Sequence, residues 1–267
     1  MNKEQLLKEF EQTRPQLKSF ILRITASITD TEDIVQDTFI RASENLDGFK
    51  AASSIKTWLF TIATNLAKDN LRAKKRWVEN VTDIAKAAAH ANPGFFNESM
   101  QLRASSPQAQ FEIKEHITFC FTCISKSLPL EQQICILLKE VYESKVNEIA
   151  TILDTTEAMV KYYLHTGRSK MMDVFDGRCA LINKQGVCHQ CSELNGIYNP
   201  KQKFQEEVMK IDMAREARNS GKERLFDLRL KVIREIDPFL SNGSALQLHH
   251  LEHNRKVMDK YVEKTPA

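Results

Sequence analysis

Apolar residues recur at spacings of three and four along most of this chain, which is the period of an amphipathic α-helix. Glycine and proline, which would have to supply the many tight turns of a sandwich or barrel, number only 8 and 7 among 267 residues. The pattern therefore predicts an all-α fold. The length favours two or three small helical modules over one large core.

The first module is expected to end near residue 78. Its apolar stripe is Leu6, Leu7, Phe10, Leu17, Phe20, Ile21 and Ile24. We interpret this stripe as two helical segments, with Pro15 at the start of the second, because proline is favoured at the first helical position. The hydroxyls and carboxylates of Thr29–Asp33 are predicted to cap the next helix.

That next helix has two faces. An inward stripe consists of Val35, Phe39, Ala42 and Leu46, and a second face carries Asp33, Gln36, Asp37 and Ile40 at i, i+3, i+4 and i+7. A polar stripe interrupted by isoleucine could dock a partner protein. A plain solvated helix face is the alternative interpretation.

A long helix is predicted from Ile55, with Ser53 and Ser54 as caps and Ile55, Leu59, Ile62 and Leu66 as its core stripe. Its opposite face carries Thr57, Thr61, Asn65, Lys68, Arg72 and Lys75. Six basic residues against one acidic residue give residues 56–76 a net charge of +5. Such a face suits a DNA backbone and exposed bases. Trp58 is interpreted as a core residue.

Residues 79–110 are expected to form a linker with at most a short helix, because the periodicity fades and Pro93, Gly94 and Pro107 interrupt it. A second helical module is expected over residues 111–175. Its last two helices are predicted to form a helix-turn-helix, in which Asp154 takes the left-handed conformation and Thr156 caps the second helix. Val160 and Leu164 should point inward.

These segments resemble the extracytoplasmic-function (ECF) sigma factors of RNA polymerase. The runs DIVQDTF (33–39), KTWLFTIATN (56–65) and DNLR (69–72) are similar to region 2 of that family. The runs LPLEQQ (128–133), EIA (148–150) and EAMVKYYLH (157–165) are similar to region 4. Two modules in the family's order and spacing make the resemblance specific.

The resemblance implies a subunit that binds core RNA polymerase and promoter DNA, has no catalytic residues and needs no cofactor. Polymerase would be bound by Asp33, Gln36, Asp37 and Ile40. DNA would be bound at the minus-ten element by Asn65, Lys68, Arg72 and Lys75, and at the minus-thirty-five element by Thr156, Glu157, Ala158, Lys161 and Arg168. Tyr162, Tyr163, Thr166 and Gly167 depart from the family pattern, so family contacts at those positions are not expected to carry over.

Residues 176–267 form an extension that ordinary members of the family lack. Cys179, Cys188 and Cys191 have C-x8-C-x2-C spacing, which favours a zinc site, with a redox switch or buried thiols as alternatives. Cys120, Cys123 and Cys135 are interpreted as core residues. His249, His250 and His253 are interpreted as a surface helix face. His249, His253 or a water molecule could supply the fourth ligand of the zinc site. Helices predicted over residues 204–218, 223–236 and 245–261 would complete a regulatory domain. This domain could mask the DNA-binding surfaces and so replace a separate anti-sigma protein; a separate anti-sigma regulator is the alternative.

No apolar run approaches the roughly 20 residues needed to span a bilayer, so a cytoplasmic location without membrane contact is expected. The alternative function is a helix-turn-helix regulator that binds duplex DNA without polymerase, which would leave the acidic stripe at Asp33 and Asp37 without a purpose. A thiol oxidoreductase is a weaker alternative, because no strand-helix alternation surrounds Cys188 and Cys191.

Overall fold

The computed structural model describes residues 2–49, 53–73, 81–104, 118, 120–122, 124–178, 221–235 and 245–264. Every regular element within these ranges is a helix, which confirms the all-α fold class. The helices are α1 Lys3–Thr25, α2 Ile28–Glu44, α3 Ile55–Ala73, α4 Val81–His90, α5 Pro93–Ala104, α6 Leu130–Ile136, α7 Val146–Leu153, α8 Glu157–Arg178, α9 Lys222–Glu235 and α10 Ala245–Lys264. A 3₁₀ turn follows α2 at Leu46–Gly48, and α6 continues as a π-helical turn over Leu137–Val141.

The chain divides into two compact units. The first comprises Met1–Arg76, Pro129–Gly167 and Phe239–Asn242, and the second comprises Trp77–Leu128, Arg168–Pro238 and Gly243–Ala267. The domain boundaries near residues 78, 110 and 175 stay predictions, because packing contacts alone do not show which segments act together.

The first helix is continuous, so the prediction of a break at Pro15 is wrong. A capping box starts α1, in which the Asn2 side chain accepts from the Gln5 amide at 2.8 Å and the Gln5 side chain accepts from the Asn2 amide at 3.1 Å. Proline inside a helix costs about 3 kcal/mol or more. One buried stripe runs on both sides of Pro15, with Leu6 and Leu17 fully buried, and burial of that stripe outweighs the local cost.

The core of the first unit lies where α1, α2 and α3 pack against one another. Its largest fully buried side chains include Phe20, Phe60 and Leu59. The residue that caps α2 is Ser27, two positions before the Thr29–Asp33 run predicted to do so, and it accepts from the Asp30 amide at 3.2 Å.

The described part of the predicted linker holds two helices, more than the one short helix expected there. Helices α4 and α5 occupy most of residues 81–104, and both contact α10 within the second unit. Ala85, Ala89 and Phe95 are buried there. The alanine-rich segment favours a helix by propensity. Its apolar residues are too sparse to predict a helix from periodicity, and α10 supplies the apolar surface against which it packs.

The predicted helices at 223–236 and 245–261 are present as α9 and α10, whereas the predicted helix at 204–218 lies outside the described residues. Phe226 of α9 joins Phe121 and Phe175 in an aromatic cluster with ring centroids 6.0 to 6.5 Å apart. Arg229 lies 4.1 Å from the Phe175 ring centroid. In the part of the chain that the structure describes, we find no helix both long and apolar enough to cross a membrane.

Candidate functional site

Helix α2 presents the four residues singled out from its sequence. Asp33, Gln36 and Asp37 are exposed, and Ile40 is 42% exposed. The opposite side is held in the core by Ile34 and Val35, together with Thr38, Phe39 and Ala42. Neither Asp33 nor Asp37 has an ion-pair partner among the described residues, whereas the neighbouring Glu32 pairs with Lys18. Two carboxylates, an amide and an apolar side chain are thus available to a partner.

Helix α3 is capped by Ser54, which accepts from the Thr57 amide at 3.0 Å, as predicted. The polar face is less open than its spacing indicates. Thr57 is buried with its hydroxyl 2.8 Å from that of Ser54, and Thr61 donates to the Thr57 carbonyl. Both hydroxyls are therefore used inside the helix. Trp58 is half-buried against Phe49, with ring centroids 5.2 Å apart, so it is not a fully buried core residue.

Asn65 and Arg72 remain exposed on α3. Arg72 Nη1 lies 2.9 Å from Asp69 Oδ1, with both side chains well exposed. An exposed pair of this kind contributes at most about 1 kcal/mol, so a phosphate can replace the carboxylate at little cost. Lys75 lies outside the described residues.

Lys68 is half-buried, and it faces the Pro129–Gly167 segment of the first unit. It lies close enough to Cys135 of α6 to favour the thiolate there, but burial dominates and raises the pKa of the Cys135 thiol to about 12. Cys135 is fully buried, which confirms it as a core residue. Cys120 is buried too, and Cys123 lies outside the described residues.

The two sequence modules touch through polar and aromatic contacts within the first unit. Tyr142 donates from its hydroxyl to Ser19 Oγ at 2.8 Å, and Gln133 Nε2 donates to the Arg23 carbonyl at 3.2 Å. The Tyr142 ring lies 5.8 Å from that of Phe20. The sequence analysis missed this contact, since Tyr142 follows an apolar stripe and carries no local sign of a long-range partner.

The predicted helix-turn-helix is present in α7 and α8. Asp154 between them has φ 51° and ψ 56°, the left-handed conformation expected of it. Thr156 caps α8 by accepting from the Met159 amide at 3.2 Å. Val160 and Leu164 are buried, as predicted.

The outer face of α8 carries the residues predicted to meet DNA. Thr156, Glu157, Ala158 and Lys161 are exposed, and Arg168 is half-buried. All of these side chains except Arg168 lie at the N-terminal end of the second helix, the part of such a motif that enters a major groove.

Gly167, one of the four departures from the family pattern, has a packing reason. A Cβ at this position would lie 3.1 Å from Ile136 Cγ1 of α6, tighter than an ordinary van der Waals contact. The missing side chain allows α8 to approach α6 closely. Thr166 donates to the Tyr162 carbonyl at 2.9 Å, so its hydroxyl is also engaged within the helix.

The predicted zinc ligands Cys179, Cys188 and Cys191 lie outside the described residues. Among the residues that are described, no group of three histidine, cysteine or acidic side chains is placed to hold a metal ion.

The three histidines of α10 do not form the surface face that we predicted. His250 is buried, and His249 and His253 are half-buried around Phe95 of α5. Their ring centroids lie 4.8 Å (His249), 5.3 Å (His250) and 4.1 Å (His253) from that of Phe95. Spacings of one and four residues place all three histidines on one side of the helix. The sequence therefore predicts that they share one environment, but it does not show whether that environment is solvent or protein.

His253 links α10 to α4 and to α5. Its Nε2 lies 3.3 Å from the Ala85 carbonyl of α4, and burial lowers its pKa below the ordinary 6.5, although the contact with Ala85 acts in the opposite direction. His249 and Lys256 of α10 lower the pKa further. On α5, Glu98 Oε2 lies 3.8 Å from His249 Nδ1.

Acidification is expected to weaken the packing of α10 on α4 and α5. The pKa of His253 is lower in the folded state than in the unfolded state. The stability that neutral His253 contributes is therefore complete above about pH 6.5 and is lost as the pH falls towards the folded-state pKa. Hydrogen exchange of the α10 amides, corrected for the intrinsic rate, should be faster at about pH 5.5 than at about pH 8. In His253→Gln, which keeps a neutral donor, this pH difference should shrink. An equal pH difference in both proteins would contradict the assignment.

Comparison with known proteins shows which family this chain is similar to. The Sigma-70 region 2 model matches residues 10–77, and the Sigma-70, region 4 model matches residues 119–171. The ECF RNA polymerase sigma factor SigW of Bacillus subtilis is 30% identical over 160 residues, which cover 56% of this chain and 77% of that protein. The ECF RNA polymerase sigma-E factor of Salmonella typhimurium is 31% identical over 140 residues, 52% of this chain and 70% of that protein.

A third relative is longer. The ECF RNA polymerase sigma factor SigG of Mycobacterium tuberculosis is 25% identical over 189 residues, and the match spans 61% of this chain but only 47% of SigG, about half its length. A co-crystal structure of the sigma factor RpoE in complex with the anti-sigma factor NepR from Bartonella quintana covers 64% of this chain at 20% identity, with a TM-score of 0.45. The level of identity to SigW and the sigma-E factor, over most of their length, shows that this chain belongs to the ECF RNA polymerase sigma factors.

Proposed function

We propose that this chain binds core RNA polymerase and directs it to specific promoters. The observation that carries the proposal is the exposure of Asp33, Gln36, Asp37 and Ile40 together on α2, in a chain that also carries a helix-turn-helix. A duplex-binding regulator has no use for an acidic face, because DNA repels it. Two separate surfaces in one chain fit a protein that connects polymerase to DNA.

The α2 face is proposed as the polymerase-binding surface. Asp33 and Asp37 lie one helical turn apart, so they can meet two cationic side chains on a partner. Gln36 lies between them, and Ile40 extends the face by one more turn. Charge complementarity would set the orientation and the rate of docking, and Ile40 would add buried apolar area.

The α3 and α8 faces are proposed as the promoter-binding surfaces. Asn65, Lys68 and Arg72, with Lys75 beyond the described residues, would contact the minus-ten element. At the minus-thirty-five element, Glu157, Ala158 and Lys161 lie nearest the bases, with Thr156 at the helix start and Arg168 further along for phosphate. The exposure of Asn65, Arg72, Glu157 and Lys161 supports these roles, as does the ease with which Arg72 can leave Asp69.

We further propose that residues 176–267 regulate this activity. The packing of α10 on α4 and α5 supports a role for the extension in holding the segment between the two sequence modules. Zinc at Cys179, Cys188 and Cys191 stays part of this proposal. ECF sigma factors are not an enzyme family, and we propose that this chain has no catalytic activity of its own and acts in the cytoplasm, where it would meet polymerase.

Run-off transcription tests the proposed function. The full chain is added to core RNA polymerase on genomic DNA fragments, and discrete transcripts that need the chain are expected. Specific retention of duplex DNA by the chain alone, with no affinity for core polymerase and no transcripts, would replace the proposal with a helix-turn-helix regulator that acts without polymerase.

A further inference from the structure

The recognition helix α8 exposes two large apolar side chains that its own fold does not use. Tyr162 is 56% exposed, more than any other large hydrophobic residue that the structure describes, and Met159 is 38% exposed. The core side of the same helix is complete without them, since Val160, Leu164 and Met171 are buried there. Burial of these two side chains would therefore have to come from a partner.

These side chains lie on the outward face of the helix. Ala158, Lys161, Tyr162 and His165 are all exposed and follow the spacing i, i+3, i+4 and i+7. Met159 precedes Tyr162 by three residues, so the two side chains are neighbours on the helix surface. The Tyr162 ring is flanked by that of Tyr163, with centroids 5.9 Å apart, and Tyr163 is half-buried. Lys161 lies on the same stripe, so a cation that can meet phosphate lies beside this apolar surface.

From this arrangement we propose that Tyr162, with Met159, recognises thymine methyl groups in the major groove of the upstream promoter element. The inference deepens the proposed function and rests on it. The thymine C5-methyl is the one apolar group that the major groove displays, and small or apolar side chains are those that read it. Lys161, on the same face, supplies the charge that duplex DNA requires.

A contact with polymerase is the competing use of an exposed tyrosine, since tyrosine is frequent at protein interfaces. The position of Tyr162 argues against this use. It lies about one and a half turns into the second helix of a helix-turn-helix, beside Ala158 and Lys161. Those residues occupy the groove when such a motif binds DNA. A protein partner on this face would exclude the duplex.

Thymine-to-deoxyuridine replacement tests the proposal, because it removes one methyl group and leaves base pairing intact. The holoenzyme of full chain and core polymerase first selects preferred duplexes from a randomised library. Each thymine of the upstream part is then replaced singly, and dissociation constants are measured by fluorescence anisotropy. At one or two positions the wild type should lose about fourfold in affinity, the equivalent of one buried methyl group.

Two variants separate the ring from the rest of the helix. Tyr162→Ala should bind the thymine duplex more weakly and lose the sensitivity to deoxyuridine at those positions. Tyr162→Phe keeps the ring and should keep the sensitivity. Because Tyr162 is exposed, both variants should fold as the wild type does, which circular dichroism checks.

Three outcomes would overturn the inference. A selected duplex whose binding ignores every deoxyuridine replacement removes the methyl contact but leaves the proposed function intact. Reduced affinity of Tyr162→Ala for core polymerase with unchanged deoxyuridine sensitivity assigns the ring to a protein contact. Failure of the holoenzyme to select any duplex rejects the proposed function and this inference together.

Discussion

Replacing Asp33 and Asp37 together by lysine is expected to weaken binding to core RNA polymerase by about 100-fold or more. Both carboxylates are exposed on α2, and neither is held by an ion pair among the described residues, so the change costs the folded protein little. Reversing two charges at a complementary surface converts attraction into repulsion. Surface-immobilised core enzyme and the purified variant provide the dissociation constant.

The matched control carries the same change of charge elsewhere. Glu4 and Asp47 are exposed at the start of α1 and in the turn after α2, outside the proposed polymerase-binding face. Their double replacement by lysine should leave polymerase affinity within a few-fold of the wild type. Equal losses in the two variants would mean that total charge governs binding, and the α2 face would lose its proposed role.

Phe20→Ala is expected to have the largest effect on stability, about 3–5 kcal/mol in the free energy of unfolding of the first unit. Phe20 is fully buried, and its ring lies 5.2 Å from that of Phe60 and 5.8 Å from that of Tyr142. Truncation leaves a cavity where α1 and α3 meet the residues that follow α6. Because the chain has two compact units, exchange of α1 amides in urea is a better measure than one melting temperature.

Tyr142→Phe separates packing from hydrogen bonding at the same place. It keeps the aromatic ring and removes the hydroxyl that donates to Ser19, so a smaller loss of about 1 kcal/mol is expected. If Phe20→Ala cost no more than Tyr142→Phe, the aromatic cluster would not be the feature that holds the two modules together.

Local patterns predicted the parts of the chain whose physics is local. The turn at Asp154, the cap at Thr156 and the inward pair Val160 and Leu164 depend on neighbours within four residues, and all four are as predicted. The exposed face of α2 belongs to the same class, because helical spacing alone separates Asp33 and Asp37 from the buried Val35.

Predictions failed where a distant partner decided the outcome. Pro15 lies inside α1 because burial on both sides of it outweighs the local break. The histidines of α10 pack, buried or half-buried, around a phenylalanine far from them in the sequence.

Helical periodicity and capping chemistry were enough to establish the fold class, the helix-turn-helix and the residues that face outward on α2. Only the tertiary structure decided which remote segments pack against one another. Three hydrogen bonds join residues far apart in the sequence. Gln133 and Arg23 are separated by 110 positions, Tyr142 and Ser19 by 123, and His253 and Ala85 by 168. A repeat of 3.6 residues shows which side of a helix is apolar, but it carries no information about which distant surface will cover that side.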